Sequence, residues 1–184
     1  MSSFKTIEWK DGRVLMIDQT KLPGEEAYVE CQTYEDVADA IKRMVIRGAP
    51  AIGVAAAMGV ALGAQGIETQ DRDAFKSRLR KISEVLLATR PTAVNLAWAI
   101  KRMGRLVEGD GGSVPELKAR FVEEAVRVLD EDVRTCMEIG KWGAGLIEEG
   151  SVVMTHCNAG ALATGGYGTA LGVIRAAKEA GKDI

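Results

Sequence analysis

Residues 151–169 gather most of the groups able to do chemistry. A short apolar run, Val152-Val153-Met154, leads into Thr155-His156-Cys157-Asn158 and then a loop carrying Gly160, Gly165, Gly166 and Gly168. The apolar run reads as a buried parallel strand, and residues 169–180 carry helical spacing, with Gly181 at the C-cap position. In such a strand–loop–helix unit, ligands bind beyond the carboxyl end of the strand, where Cys157 falls. A thiol near a helix N-terminus is a candidate acid/base, because the positive end of the helix favours the thiolate. Exposed loop N–H groups beside it suit an anion, most often phosphate. A packing role competes, since glycines at a strand–helix junction also permit close approach. The dinucleotide fingerprint is not met: Gly166 and Gly168 are followed by Gly172, one position too late for G-x-G-x-x-G. His156 precedes Cys157 directly, and neighbouring strand residues point to opposite faces. His156 is therefore expected as a structural residue or a wall of the site, not the base of a dyad.

Two arginines stand at similar junctions. Arg47 precedes Gly48-Ala49-Pro50 and an apolar helix; Arg90 precedes Pro91 and another. A guanidinium beside a helix start is a good oxyanion clamp. The competing reading is a C-cap arginine facing solvent. Asn95, on an otherwise apolar helix, calls for a buried partner.

The elements that must position these groups follow from pattern. Asp11-Gly12 between the runs 7–9 and 13–18 signals a β-hairpin, and 27–31 a third strand with Cys31 in the core. Thr33, with Asp36 three residues on, opens a helix with an inner stripe of Val37, Ala40, Ile41, Met44 and Val45. Residues 51–64 form a helix of Ala, Gly and aliphatic residues with almost no polar side, hence buried on most of its surface. Further helices are expected over 71–88 and 92–103. After a flexible Gly-rich loop at 109–113, Ser113-x-x-Glu116 is a capping box for a long helix to about 148, bent near Gly140 and Gly143. That helix carries Phe121, Ala125, Val128, Leu129, Val133, Cys136 and Met137 on one stripe.

The 184 residues are 47% hydrophobic with a net charge of −2, which fits a globular chain and gives no sign of a nucleic-acid or membrane-surface partner. Cysteines at 31, 136 and 157 fit a reducing, cytoplasmic setting, and with one histidine they make no zinc pattern. The expected fold class is α/β. A helical N-terminal domain with a small antiparallel β element (1–130) precedes the linking helix and first βα unit of a Rossmann-like parallel-sheet domain (131–184). The chain stops where a second parallel strand would begin, so it reads as the front part of a longer protein.

Three segments together resemble the methylthioribose-1-phosphate isomerase family: 47–53 (RGAPAIG), 89–96 (TRPTAVNL), and 155–164 (THCNAGALAT) with 168–172 (GTALG). The resemblance runs over essentially the whole chain. It implies a cofactor-free aldose–ketose isomerase of methionine salvage, acting on a sugar phosphate and homodimeric through its α/β domain. It further implies that Arg47, Gly48, Ala49 and Arg90 bind substrate and that Cys157 is catalytic, while the family's proton-donating aspartate lies beyond position 184. Ribose-1,5-bisphosphate isomerases and regulatory subunits of the exchange factor for initiation factor two share the fold, so fold alone does not choose among them. Trp9, Met44, Trp98 and Met154 are the residues available to receive a methylthio group.

Overall fold

A computed structural model describes residues 4–109 and 111–184. Strands β1 (Ile7–Lys10) and β2 (Arg13–Ile17) form an antiparallel hairpin closed by Asp11 and Gly12, both at positive φ. Two successive left-handed residues give the turn whose twist matches that of the strands. β3 (Tyr28–Cys31) pairs with β2, setting Val14 opposite Cys31. Alternation puts Ile7, Val14, Met16 and Cys31 on the inner face. Burial pushes the Cys31 thiol up to about 12, as befits a core residue.

Helix α1 (Tyr34–Lys42) starts with the expected Thr33–Asp36 capping box. It stops earlier than its apolar stripe. Met44 sits in the left-handed region at φ 62 and is exposed, while Val45 turns back into the core. Helix α2 (Ala49–Gly66) is the central element: residues 51–64 are all buried. It is the one described helix long and apolar enough to cross a membrane, and packing on all sides accounts for that composition. Its glycines admit neighbours. A Cβ on Gly63 would lie 2.6 Å from Ile82 of α3 (Arg72–Leu87), and one on Gly53 would lie 3.1 Å from the Asn95 carbonyl oxygen of the next helix.

Helix α4 (Val94–Gly104) begins two residues later than expected, because the Ala93 N–H closes a turn onto the Arg90 carbonyl. Of the Gly-rich loop at 109–113, Asp110 lies outside the described residues. Ser113 and Glu116 form the capping box of α5 (Val114–Ala144), 31 residues without a break. Gly140 and Gly143, read as points of bending, instead let α6 (Ala170–Glu179) approach: a Cβ on Gly143 would sit 2.5 Å from Val173. The helix ends four residues short of 148, where the Leu146 N–H bonds to the Gly143 carbonyl and the Lys182 ammonium to the Ala144 and Ile147 carbonyls. Met137, placed on the inner stripe by spacing, is exposed.

One expectation fails outright. Residues 152–154 are not a buried strand: Val152 is 101% and Met154 93% exposed, and no strand pairs with them. A strand is defined by its ladder, and among the described residues these have none. The fold is mixed α/β, mostly helical, with a small three-stranded antiparallel sheet.

Candidate functional site

The six main helices differ at their starts. Thr33, Asp71 and Ser113 cap α1, α3 and α5 with side-chain oxygens. The starts of α2, α4 and α6 receive no side-chain cap. Uncapped first-turn N–H groups carry the positive end of the helix dipole. Two of these three starts follow Arg47 and Arg90.

At the first, Gly48 adopts φ 103 as the N-cap of α2, and Pro50 occupies the first turn. A Cβ on Gly48 would fall 2.6 Å from the Ala163 carbonyl oxygen, so only glycine fits the conformation and the space. Ala163 closes a single 3-10 turn, Ala161–Ala163, just downstream of the Cys157 loop. The structure thereby brings Gly48 against that turn. Arg47 is exposed, and its Nε donates to Gln19 Oε1 at 3.4 Å.

Arg90 is half-buried in the turn before α4. The first turn of α4 is held against α2 by the Gly53–Asn95 approach. No hydrogen bond or ion pair among the described residues joins Arg90 to Arg47 or Cys157. Between the two helix starts lies a cavity of ≈ 420 Å³, lined by Pro50, Gly53, Asn95, Trp98, Glu131 and Asp132 among others. Asn95 thus borders the cavity. Of the four candidate apolar acceptors, Trp98 lines it, 52% exposed, with the Arg102 guanidinium 5.5 Å from its ring centroid. Trp9 packs against the core. Met44 and Met154 are exposed.

Cys157 is an exposed free thiol with φ 67, an uncommon region for any residue but glycine. His156 beside it is exposed too, and no hydrogen bond links the two. The Thr155 hydroxyl is buried and has no partner among the described residues.

The structure favours packing over anion binding for the Gly-rich loop. Its N–H groups are spent internally: Gly165 donates to Asp132 Oδ2 at 2.6 Å, and Gly166 and Gly168 donate to Thr164 Oγ1 at 3.2 and 3.1 Å. The start of α6 is likewise occupied, since Thr169 and Leu171 donate to the Ala159 carbonyl. Glycine here serves packing: a Cβ on Gly165 would lie 2.7 Å from Leu129, and Gly168 sits at φ 100 against Gly160. The anion-binding potential lies at α2 and α4 instead. Burial raises the Asp132 carboxyl above its ordinary range, against the opposing pull of the Gly165 N–H. Burial raises the Cys136 thiol as well. Glu131 is held low by its hydrogen bonds from Arg102.

Three residues that organise this region escape a reading by spacing. Gln19 and Thr6 donate to the Leu162 and Ala161 carbonyls, both at 2.7 Å, and Asp132 holds Gly165. Gln19 and Asp132 sit in polar stretches, which leaves spacing no signal to single them out.

These features define a mixed α/β protein with a cavity between two uncapped helix starts, each preceded by an arginine, while Arg47, Arg90 and Cys157 lie outside the cavity's lining. Residues 45–184 match the initiation factor 2 subunit family, and the chain belongs to that family. It is similar to a methylthioribose-1-phosphate isomerase of Geobacter metallireducens, 60% identical over 99% of this chain and 53% of the relative. The chain thus spans about half the length of the curated relatives it matches. Among solved structures it resembles the 5-methylthioribose 1-phosphate isomerase of Pyrococcus horikoshii OT3, with TM-score 0.91 and 42% identity over 97% of this chain and 50% of that one. It also resembles a structure described as translation initiation factor eIF-2B subunit delta from A. fulgidus, with TM-score 0.88 and 47% identity over 99% of this chain and 53% of that one.

Proposed function

We propose that this chain belongs to a cofactor-free sugar-phosphate isomerase that converts 5-methylthioribose 1-phosphate to 5-methylthioribulose 1-phosphate in methionine salvage. The observation that carries the reading is the seating of Gly48, at the uncapped start of α2, against the turn that follows Cys157. It joins an anion-binding helix start to an open thiol, and an isomerase of this name is 60% identical to the chain.

The chemistry fits these residues. Phosphate on the anomeric oxygen prevents the ring from opening as a free hemiacetal does. The enzyme must stabilise a ring-opened or enolate-like species while hydrogen moves from C2 to C1. Arg47, the backbone of Gly48 and Ala49, and Arg90 hold the phosphate, whose charge complements the α2 and α4 dipoles. Cys157 faces the reacting carbons as acid/base or stabiliser, a role that typically contributes about 10²–10⁴-fold. The boundary at 130/131 falls within α5, and the contiguous core reached from the sheet ends at Val128, which supports a division there. A Rossmann-like second domain, a homodimer formed through it and a cytoplasmic location complete the reading; the three free cysteines support a reducing compartment.

The test is turnover of 5-methylthioribose 1-phosphate by the natural protein, followed by NMR, with Cys157→Ser alongside. Ketose phosphate formed by the wild type and lost in the variant establishes reaction and role together. A second reading, a non-catalytic regulatory protein of the same fold, draws on the likeness to the initiation factor subunit. It prevails if neither this substrate nor ribose 1,5-bisphosphate turns over.

A further inference from the structure

We infer that Gln19 is a positioning residue, a buried amide that sets the substrate-binding arginine and the thiol loop in one register. The inference rests on the isomerase reading above. Gln19 lies two residues past the end of β2 and is 2% exposed. Its backbone N–H donates to the Val45 carbonyl at 3.0 Å, which anchors it beside the 45–48 segment. Its side chain then spans the two halves of the site. Nε2 donates to the Leu162 carbonyl at 2.7 Å, and Oε1 accepts from Arg47 Nε at 3.4 Å.

Only one orientation of the amide satisfies both partners, because a carbonyl needs a donor and a guanidinium an acceptor. The bond to Arg47 also has a consequence for ligand binding. It uses Nε and leaves both terminal amino groups of the fork for an oxyanion. A long, exposed side chain is thereby ordered before substrate arrives, which removes part of the entropy cost of binding. Thr6 provides an internal contrast. It is fully buried and its hydroxyl donates to the Ala161 carbonyl at 2.7 Å, on the same turn but with no link to Arg47.

The test compares Gln19→Met, nearly isosteric but without either hydrogen bond, with Thr6→Val in the natural protein. KM, kcat and Tm are measured for each on 5-methylthioribose 1-phosphate, and Gln19→Met is also made in an Arg47→Lys background. The expected result for Gln19→Met is a KM raised about three- to tenfold with kcat changed far less. Thr6→Val lowers Tm comparably and leaves KM near the wild-type value. In the Arg47→Lys background the Gln19 change adds little, because its effect runs through that arginine. Gln19→Asn, which keeps a polar group at the site but is too short to span both partners, repeats the comparison if the Met variant does not fold. Equal effects of Gln19→Met and Thr6→Val on KM, or a full effect in the Arg47→Lys background, overturn the positioning role and leave the isomerase reading standing. A wild type inert towards the sugar phosphate overturns both.

Discussion

Cys157 and Gly48 show how differently two residues of one site bear on stability. Cys157 is exposed and has no hydrogen-bonding partner among the described residues, so Cys157→Ser is expected to shift stability by less than about 0.5 kcal/mol in urea unfolding while abolishing turnover. Gly48 is the reverse. At φ 103 and pressed on Ala163, it has no room for a side chain. Gly48→Ala is expected to cost about 2–4 kcal/mol, combining overpacking with a left-handed backbone, and its urea midpoint should fall accordingly. A small loss would mean that the α2 start can move away from the loop.

At the scale of elements, the helices are held by two kinds of contact. Phe75 of α3 and Phe121 of α5 are fully buried with ring centroids 6.1 Å apart. Phe75→Ala should cost about 3–5 kcal/mol, read by denaturant unfolding. Arg102 of α4 ties that helix to α5 through Glu124 Oε1 at 2.6 Å and a two-pronged bond to Glu131. Those bonds from Arg102 hold the Glu131 carboxyl below its ordinary 4.5. A lowered folded-state value means that the unfolded chain binds the proton more readily. The pair's contribution is therefore fully present above about pH 4.5 and is lost as pH falls through the lowered folded value. Arg102→Met should flatten that part of the acid-unfolding slope. An unchanged slope would show that Glu131 titrates alike in both states.

For the whole molecule, burial is uneven. The helical core around α2 is complete, whereas Trp142, Leu146, Val152 and Met154, on and beyond the end of α5, are 73–101% exposed. Apolar groups concentrated in one region of surface favour association. The 184-residue chain by itself is expected to self-associate in light scattering and to bind an apolar dye, and replacing Trp142 and Leu146 with Lys should reduce both. A monodisperse monomer without dye binding would contradict this.

Local signals were legible at each scale. The Asp11-Gly12 hairpin and the Thr33 and Ser113 caps stand where pattern put them, and the all-round apolar helix expected at 51–64 runs two residues further at each end, because caps, turns and burial depend on neighbours in sequence. Arg47, Arg90 and Cys157 were legible as a motif, and Gly48 as glycine at a helix start. The strand at 152–154 was misread because an apolar run promises burial, yet only a neighbouring ladder makes a strand. For the Gly-rich loop the sequence leaves an anion cradle and a packing role both open, because it counts N–H groups without showing which acceptors they already have. Thr164, Ala159 and Asp132 had taken them. Met44 follows the helical period but lies past the end of α1, and Met137 stays on α5 yet is exposed. The residue types, the caps and the family motifs were thus determined by the sequence alone. Which helix starts remained open to an anion, and that Gln19 spans from Arg47 to the thiol loop, was decided by tertiary structure, because both depend on contacts between residues up to 143 positions apart.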